Sequence, residues 1–428
     1  MAGWVARQRA QVVVGALVLA VTVVAGCTGT GGGAAGSPSM AATGTATSSA
    51  AAPSVTGSSA AVHTVTGSSG TSPAGTGSAA TSSTATGSTA VGSPTAPDDA
   101  AGLPPTLAEA LRTIPADVTS VWFTDDAAMK RRWGATDVTS QTDPDSPEFD
   151  EYLDHARNAA GNNLMAYAVV MAKDWGWGGL DVQWMIAPMG QSGPPVAVYR
   201  MRPDLDMAAV VDSFQKNGFT RSGPDDRPTF HADLGNITGA PPFFDVVVLP
   251  EQHLLVTGAM SDRVLATIDD PSASLVDNPT LNRLMAGVPA PEFAWITLGG
   301  DACLSPVGVL GPQGGPAQAS RAISGMLDAL AGTHPLDGAA AVTIDDSAAV
   351  VTTDFADPAD AEADAKIRLP MLTDGTSMVT QRPYTELFSV QDTDVQGRVL
   401  RYDLTMTRRA VDLPNMIQRR DTPWAYCA

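Results

Sequence analysis

From residue 103 onward, apolar positions fall into short continuous runs separated by stretches with helical spacing. Phe149, Tyr152, Leu153 and Ala156 recur at i, i+3, i+4 and i+7, which predicts an amphipathic helix. Ser146-Pro147-Glu148 gives that helix a cap, a proline in its first turn and an acid at its positive end. Asp181 to Met189 and Val196 to Met201 read as a hairpin of apolar strands. A helix follows with Met207, Val210, Val211 and Phe214 on one face, stopping at Asn217-Gly218. Phe244–Leu249 and Leu254–Gly258 predict two further strands.

The same order of elements recurs later. Thr106-Leu107 opens a short helix that leads through Pro115 to the apolar run around Trp122; Thr280-Leu281 opens another that leads through Pro289 to Trp295. Both helices are expected to be capped by their Thr. The two Thr stand 174 residues apart (280 minus 106), and the same step from the 149–156 stripe lands on Ile323, Met326, Leu327 and Leu330. Downstream, Ala339–Ile344 and Ala348–Phe355 form a hairpin across Asp345-Asp346-Ser347, a helix begins at Asp357-Pro358, and Leu387–Gln391 and Val399–Leu404 close the unit. The expected fold class is α+β: two tandem related modules, 103–276 and 277–428, each a mainly antiparallel sheet with helices on one face. Two such modules have the size of ordinary domains, and the near absence of linker-like residues between Ile268 and Thr280 favours their packing together.

The first hundred residues have a different character. Arg7 and Arg9 precede an uncharged apolar stretch, Val12 to Val24, that is too short for a spanning helix and ends in small residues. Residues 1–26 therefore read as an export signal. From Thr28 to about Gly102 the chain is almost entirely Ser, Thr, Gly, Ala and Pro, which cannot bury enough apolar surface to offset ordering. The segment 27–102 is expected to be a disordered stalk, either bare or glycosylated.

Val24-Ala25-Gly26-Cys27 resembles the lipobox of bacterial lipoproteins. The resemblance implies that Cys27 is acylated through its sulfur, becomes the new N-terminus, and holds the protein on the extracytoplasmic face of the cell membrane by its lipid, palmitate included. Several acyl chains would make that attachment firm. The layout of lipobox, low-complexity stalk and Ala/Asp-rich body also resembles actinobacterial lipoproteins of uncharacterised role, which implies a location and no site residues.

The formal charge of −20 sets the body against nucleic acid and anionic headgroups, so nucleic-acid binding is excluded from the reading. After Cys27 only Cys303 and Cys427 remain. In an oxidising compartment such a pair reads as a disulfide stapling the C-terminal tail beside the strand that ends near Gly299; two inert buried thiols are the alternative.

Candidate chemistry is sparse. Asn163 to Gly179 is an addition to the first module, with Tyr167 and Trp175-Gly-Trp177-Gly-Gly; these rings either line a groove for an apolar or sugar ligand or fill core. The acidic run Asp143, Asp145, Glu148, Asp150, Glu151 and Asp154 lacks the central Gly of a calcium loop and fits the solvated start of a helix. Arg408, Arg409, Arg419 and Arg420 make a basic patch suited to the first module, to an anionic envelope polymer, or to solvent. The five His show no metal-binding spacing, Gly190-Gln191-Ser192-Gly193 lies in a turn rather than a nucleophile elbow, and the glycines of 311–315 lack a phosphate-loop ending. No metal or cofactor is expected.

The leading expectation is a non-enzymatic cell-surface lipoprotein whose duplicated body binds an envelope polymer, lipid or protein partner. The alternatives are a lipid or small-ligand carrier, which a curved sheet under helices could serve by enclosing an apolar cavity, a transporter-associated binding protein, for which the paired hairpins are poorly suited, and a hydrolase. The last would require His231 or His253 to be hydrogen-bonded to an acid and to face an open cleft.

Overall fold

The computed structural model describes residues 102–190, 196–232, 243–258, 261–306 and 324–427. The leader, Cys27, the stalk, the turn residues Gln191-Ser192-Gly193, the glycines of 311–315 and Ile323 lie outside the described residues.

The fold is a mixed α+β arrangement built on one antiparallel sheet. Its strands are β1 (Ser120–Asp125), β2 (Val182–Pro188), β3 (Ala197–Met201), β4 (Thr220–Ser222), β5 (Thr229–His231), β6 (Asp245–Leu249), β7 (Leu254–Thr257), β8 (Phe293–Leu298), β9 (Leu336–Thr343), β10 (Ala348–Phe355), β11 (Phe388–Gln396) and β12 (Val399–Met406). Among the described residues these join as a twelve-stranded sheet in the order β11-β12-β10-β9-β8-β1-β2-β3-β7-β6-β5-β4. Outward from the central pair, one side runs β1, β2, β3, β7, β6 and the other β8, β9, β10, β12, β11; only the first side is extended, by the hairpin β4–β5. At the centre β1 and β8 run antiparallel with Trp122 directly opposite Trp295.

The helices are α1 (Pro105–Leu111), α2 (Asp126–Trp133), α3 (Pro147–Ala156), α4 (Ala168–Asp174), α5 (Met207–Lys216), α6 (Ser261–Asp269), α7 (Pro279–Met285), α8 (Pro358–Thr373) and α9 (Asp412–Gln418). The caps lie two residues before the expected Thr106 and Thr280. Pro105 and Pro279 occupy the first helical position, so the cap falls one residue earlier, on Pro104 and on Asn278, whose side chain accepts from the N–H groups of Thr280 and Leu281. Ser146 caps α3 as expected, accepting from the Phe149 N–H.

Helices cover both faces of the sheet, not one. On the first face Leu107, Leu111, Val264, Leu281 and Leu284 from α1, α6 and α7 pack on Val121, Ile186, Val256, Ile296 and Val342 as one core that runs from β6 to β10 across the sheet centre. On the other face lie two cores. Met207, Val210 and Phe214 of α5 cover β3, β6 and β7, while Ala361 and Leu372 of α8 and Leu413 of α9 cover β9, β10 and β12. Trp122 packs against both. The physical reason is visible in the strands: every position of β8 and of β7 is buried, so neither face can be left to water. Gly338 on β9 lets α7 approach closely, since a Cβ there would lie 2.7 Å from Thr280 Cγ2 and 2.9 Å from Leu284 Cδ1.

The 149–156 stripe is only partly repeated. Residues 324–329 are helical and Met326 and Leu330 join a small core with Met371 and Tyr426, but Leu327 is exposed. Cys303 and Cys427 are bonded as a disulfide across a sequence separation of 124. The tail it holds is further fixed by the buried Arg368, which donates to Asp364 Oδ2 (2.8 Å) and to the carbonyls of Trp424 (3.0 Å) and Tyr426 (2.6 Å). Among the described residues no helix is long and apolar enough to cross a membrane.

Candidate functional site

Aromatic residues singled out by sequence lie in the core. Trp175 and Trp177 are 7% and 1% exposed, and with Phe214, Phe219 and Phe243 they form an aromatic cluster at centroid separations of 5.3 to 6.3 Å, Trp175 meeting its Phe neighbours edge to face and Trp177 stacking on Phe243. Trp177 Nε1 is satisfied internally, donating to Ser213 Oγ at 2.6 Å. The half-buried Tyr167 packs against the same cluster. A groove walled by these rings is therefore replaced by filled core. Of the acidic run, Glu148 and Asp150 sit in the first turn of α3 and Asp154 pairs with Arg157. Arg409 does reach the first half of the chain, donating to Asn158 Oδ1 at 3.4 Å.

An unforeseen polar centre lies beneath the inserted segment. Asp126 accepts from the Asn162 N–H (3.1 Å), Asn162 Nδ2 (2.7 Å) and Thr124 Oγ1 (3.0 Å), and burial pushes its pKa up to about 6. Lys130, one turn on, donates to the carbonyls of Val138 and Leu180, and burial pulls it down to about 8. These groups pin α2 to the segment around Leu180.

The chemistry that faces solvent is at the far edge of the sheet. The β4–β5 hairpin turns through Gly223-Pro224-Asp225-Asp226. Gly223 holds φ = +78°, and a Cβ there would sit 2.9 Å from the Arg227 carbonyl oxygen. In the resulting register Ser222 lies opposite Thr229, and His231 lies opposite Asp245 on β6. Phe230 points into the core on one face, so the alternation of the strand sends Thr229 and His231 to the other. There His231 Nδ1 lies 2.7 Å from Asp245 Oδ1, and His231 Nε2 lies 3.2 Å from Ser222 Oγ. A carboxylate only accepts, so it holds the imidazole proton on Nδ1; Nε2 is then free to accept from the Ser222 hydroxyl.

His231 and Asp245 of this row border a cleft of about 630 Å³ between the β5–β6 edge and α6, with Ser222 beside His231 outside its lining. Val247 and Leu265 form its apolar floor, continuous with the first-face core. Thr229, His231 and Asp245 line it from the sheet, and Asp262 and Asp269 from the helix. Arg227 Nη1 and Nη2 donate to the two oxygens of Asp269 at 2.9 and 2.6 Å, an exposed ion pair in the lining that lowers the Asp269 pKa. Asp262 has no ion pair or hydrogen bond among the described residues, and the cleft therefore carries a net negative character. His231 and Asp245 keep half their side-chain surface in water, 53% and 48%.

No protein-family model matches the chain, and no curated protein and no solved structure is similar to it.

Proposed function

We propose that this chain is a cell-surface lipoprotein, anchored by acylated Cys27, whose duplicated α+β body binds a small polar ligand of the envelope in the cleft between β5–β6 and α6. The observation that carries the ligand reading is the cleft itself: a concave site of ligand size with an apolar floor and convergent polar groups. Its unbalanced Asp262 and the acidic balance of the chain favour a ligand with ammonium or hydroxyl groups over an anion. Support for the placement comes from the Val24-Ala25-Gly26-Cys27 sequence and from the Cys303–Cys427 disulfide, which belongs in an oxidising compartment. Support for duplication comes from the two-sided strand order, from α1 and α7 with identical 174-residue spacing at both ends (279 minus 105, 285 minus 111), and from the pairing of Trp122 with Trp295 across the sheet centre. A two-fold operation relating two copies of one module would place equivalent residues opposite each other there.

Thermal unfolding in panels of amines, polyols and anionic sugars tests the ligand class. Amines or polyols are expected to raise the melting temperature in a saturable way; stabilisation by anions alone would contradict the reading. Placement is tested by cell fractionation: the native protein should stay with the membrane and Cys27→Ala should leave it, whereas equal membrane association of both would contradict the anchor.

A further inference from the structure

We propose that Ser222 is a nucleophile for acyl transfer, activated by His231 and oriented through Asp245, and that its substrate class is an uncharged or cationic carboxylic ester. The inference rests on the cleft being a ligand site and adds to it a reaction.

Three residue types with the required roles stand in one hydrogen-bonded row: hydroxyl, imidazole, carboxylate, at 3.2 and 2.7 Å. The order of contacts matters more than the composition. Asp245 engages Nδ1 and Ser222 engages Nε2, which is the assignment that leaves the base side of the ring toward the hydroxyl. The backbone enforces this row from three strands rather than from one flexible loop. His231 and Asp245 are a direct cross-strand pair, and Ser222 reaches His231 on the diagonal because its own partner is Thr229. His231 and Asp245 also line the cleft, so a bound ester would lie beside the base. Arg227 is the cationic side chain of the same cleft, and the acids there disfavour phosphate or carboxylate substrates.

The step balances without any co-reactant but water. Ser222 Oγ attacks the ester carbonyl carbon while His231 Nε2 takes the hydroxyl proton. The tetrahedral adduct expels the alcohol oxygen, which receives that proton, leaving acyl-Ser222. Water, deprotonated by His231, then releases the carboxylic acid and restores the serine.

The test uses the full chain with a neutral fluorophosphonate probe and with p-nitrophenyl acetate. Peptide mass spectrometry should place the probe on Ser222, and Ser222→Ala should lose both labelling and ester turnover. His231→Gln should slow labelling on the order of 100-fold, the scale of a lost general base, and Asp245→Asn should slow it by an intermediate factor. Ser222 sits exposed at a sheet edge, so Ser222→Ala should retain the native melting temperature. Labelling spread over other serines, or turnover unchanged in Ser222→Ala, overturns the proposal and leaves a solvated cross-strand row. If ligand stabilisation persists in that case, only the acyl transfer fails. If stabilisation is also absent from the wild type, the cleft reading fails with it.

Discussion

Asp126 is buried where water cannot solvate its charge, and the Asn162 and Thr124 hydrogen bonds only partly compensate, so its pKa rises to about 6 from 3.8. Between those values the folded chain holds a proton that the unfolded chain has lost. This contribution to stability is therefore present below the lower value and disappears as pH rises through the higher one. Lys130 works in the opposite sense: burial lowers it to about 8 from 10.5, the unfolded chain binds the extra proton between these values, and stability rises with pH there. Asp126→Asn should accordingly remove a loss of stability between about pH 4 and 6 on the order of 2–3 kcal/mol, while leaving the alkaline rise intact. Urea unfolding at fixed pH values reads this directly, and an unchanged acid-side slope in Asp126→Asn would refute it. None of this was legible from sequence, because Asp126 and Lys130 look like an ordinary exposed helix start until Asn162 and Leu180, far along the chain, close over them. The residues of the edge row were equally hidden. The pairing of His231 with Asp245 depends on strand register, which isolated residues do not reveal.

Elements with strong periodicity were legible, while short ones were not. The hairpins β2–β3 and β9–β10, the helices α5 and α8, and the strand pairs β6–β7 and β11–β12 fall where alternation and turn residues place them. The three-residue strands β4 and β5 carry too little pattern to register, although Gly223-Pro224-Asp225-Asp226 between Thr220–Ser222 and Thr229–His231 is a turn signal in retrospect. That omission cost the candidate nucleophile. Helices on both faces were also readable in principle, since continuous runs such as Leu254-Leu255-Val256 leave no polar side for solvent. The C-terminal elements depend on the disulfide for their anchorage. With its cysteines 124 positions apart, reduction or a Cys303→Ala, Cys427→Ala double substitution should cost about 2–4 kcal/mol. Urea midpoints with and without reductant measure it; equal midpoints would show that the Arg368 hydrogen bonds and the packing hold the tail without the disulfide.

At the scale of the whole molecule, one sheet joins the two halves, and side chains lock them together. Arg132 on α2 donates through Nε and Nη2 to both oxygens of Glu292 at 2.6 and 2.7 Å and also pairs with Asp346 on the β9–β10 turn. A rigid, two-faced core of this kind leaves its edges as the places where halves can differ, and the cleft lies at the edge extended by β4–β5. The most direct measurement is native mass spectrometry of the delipidated body purified gently from its own host, comparing the wild type with Ala266→Trp, a substitution on the cleft wall of α6. A small molecule retained by the wild type and absent from an equally stable Ala266→Trp protein is the predicted result. Equal retention by both proteins, or an empty wild type, would contradict the cleft as the seat of function.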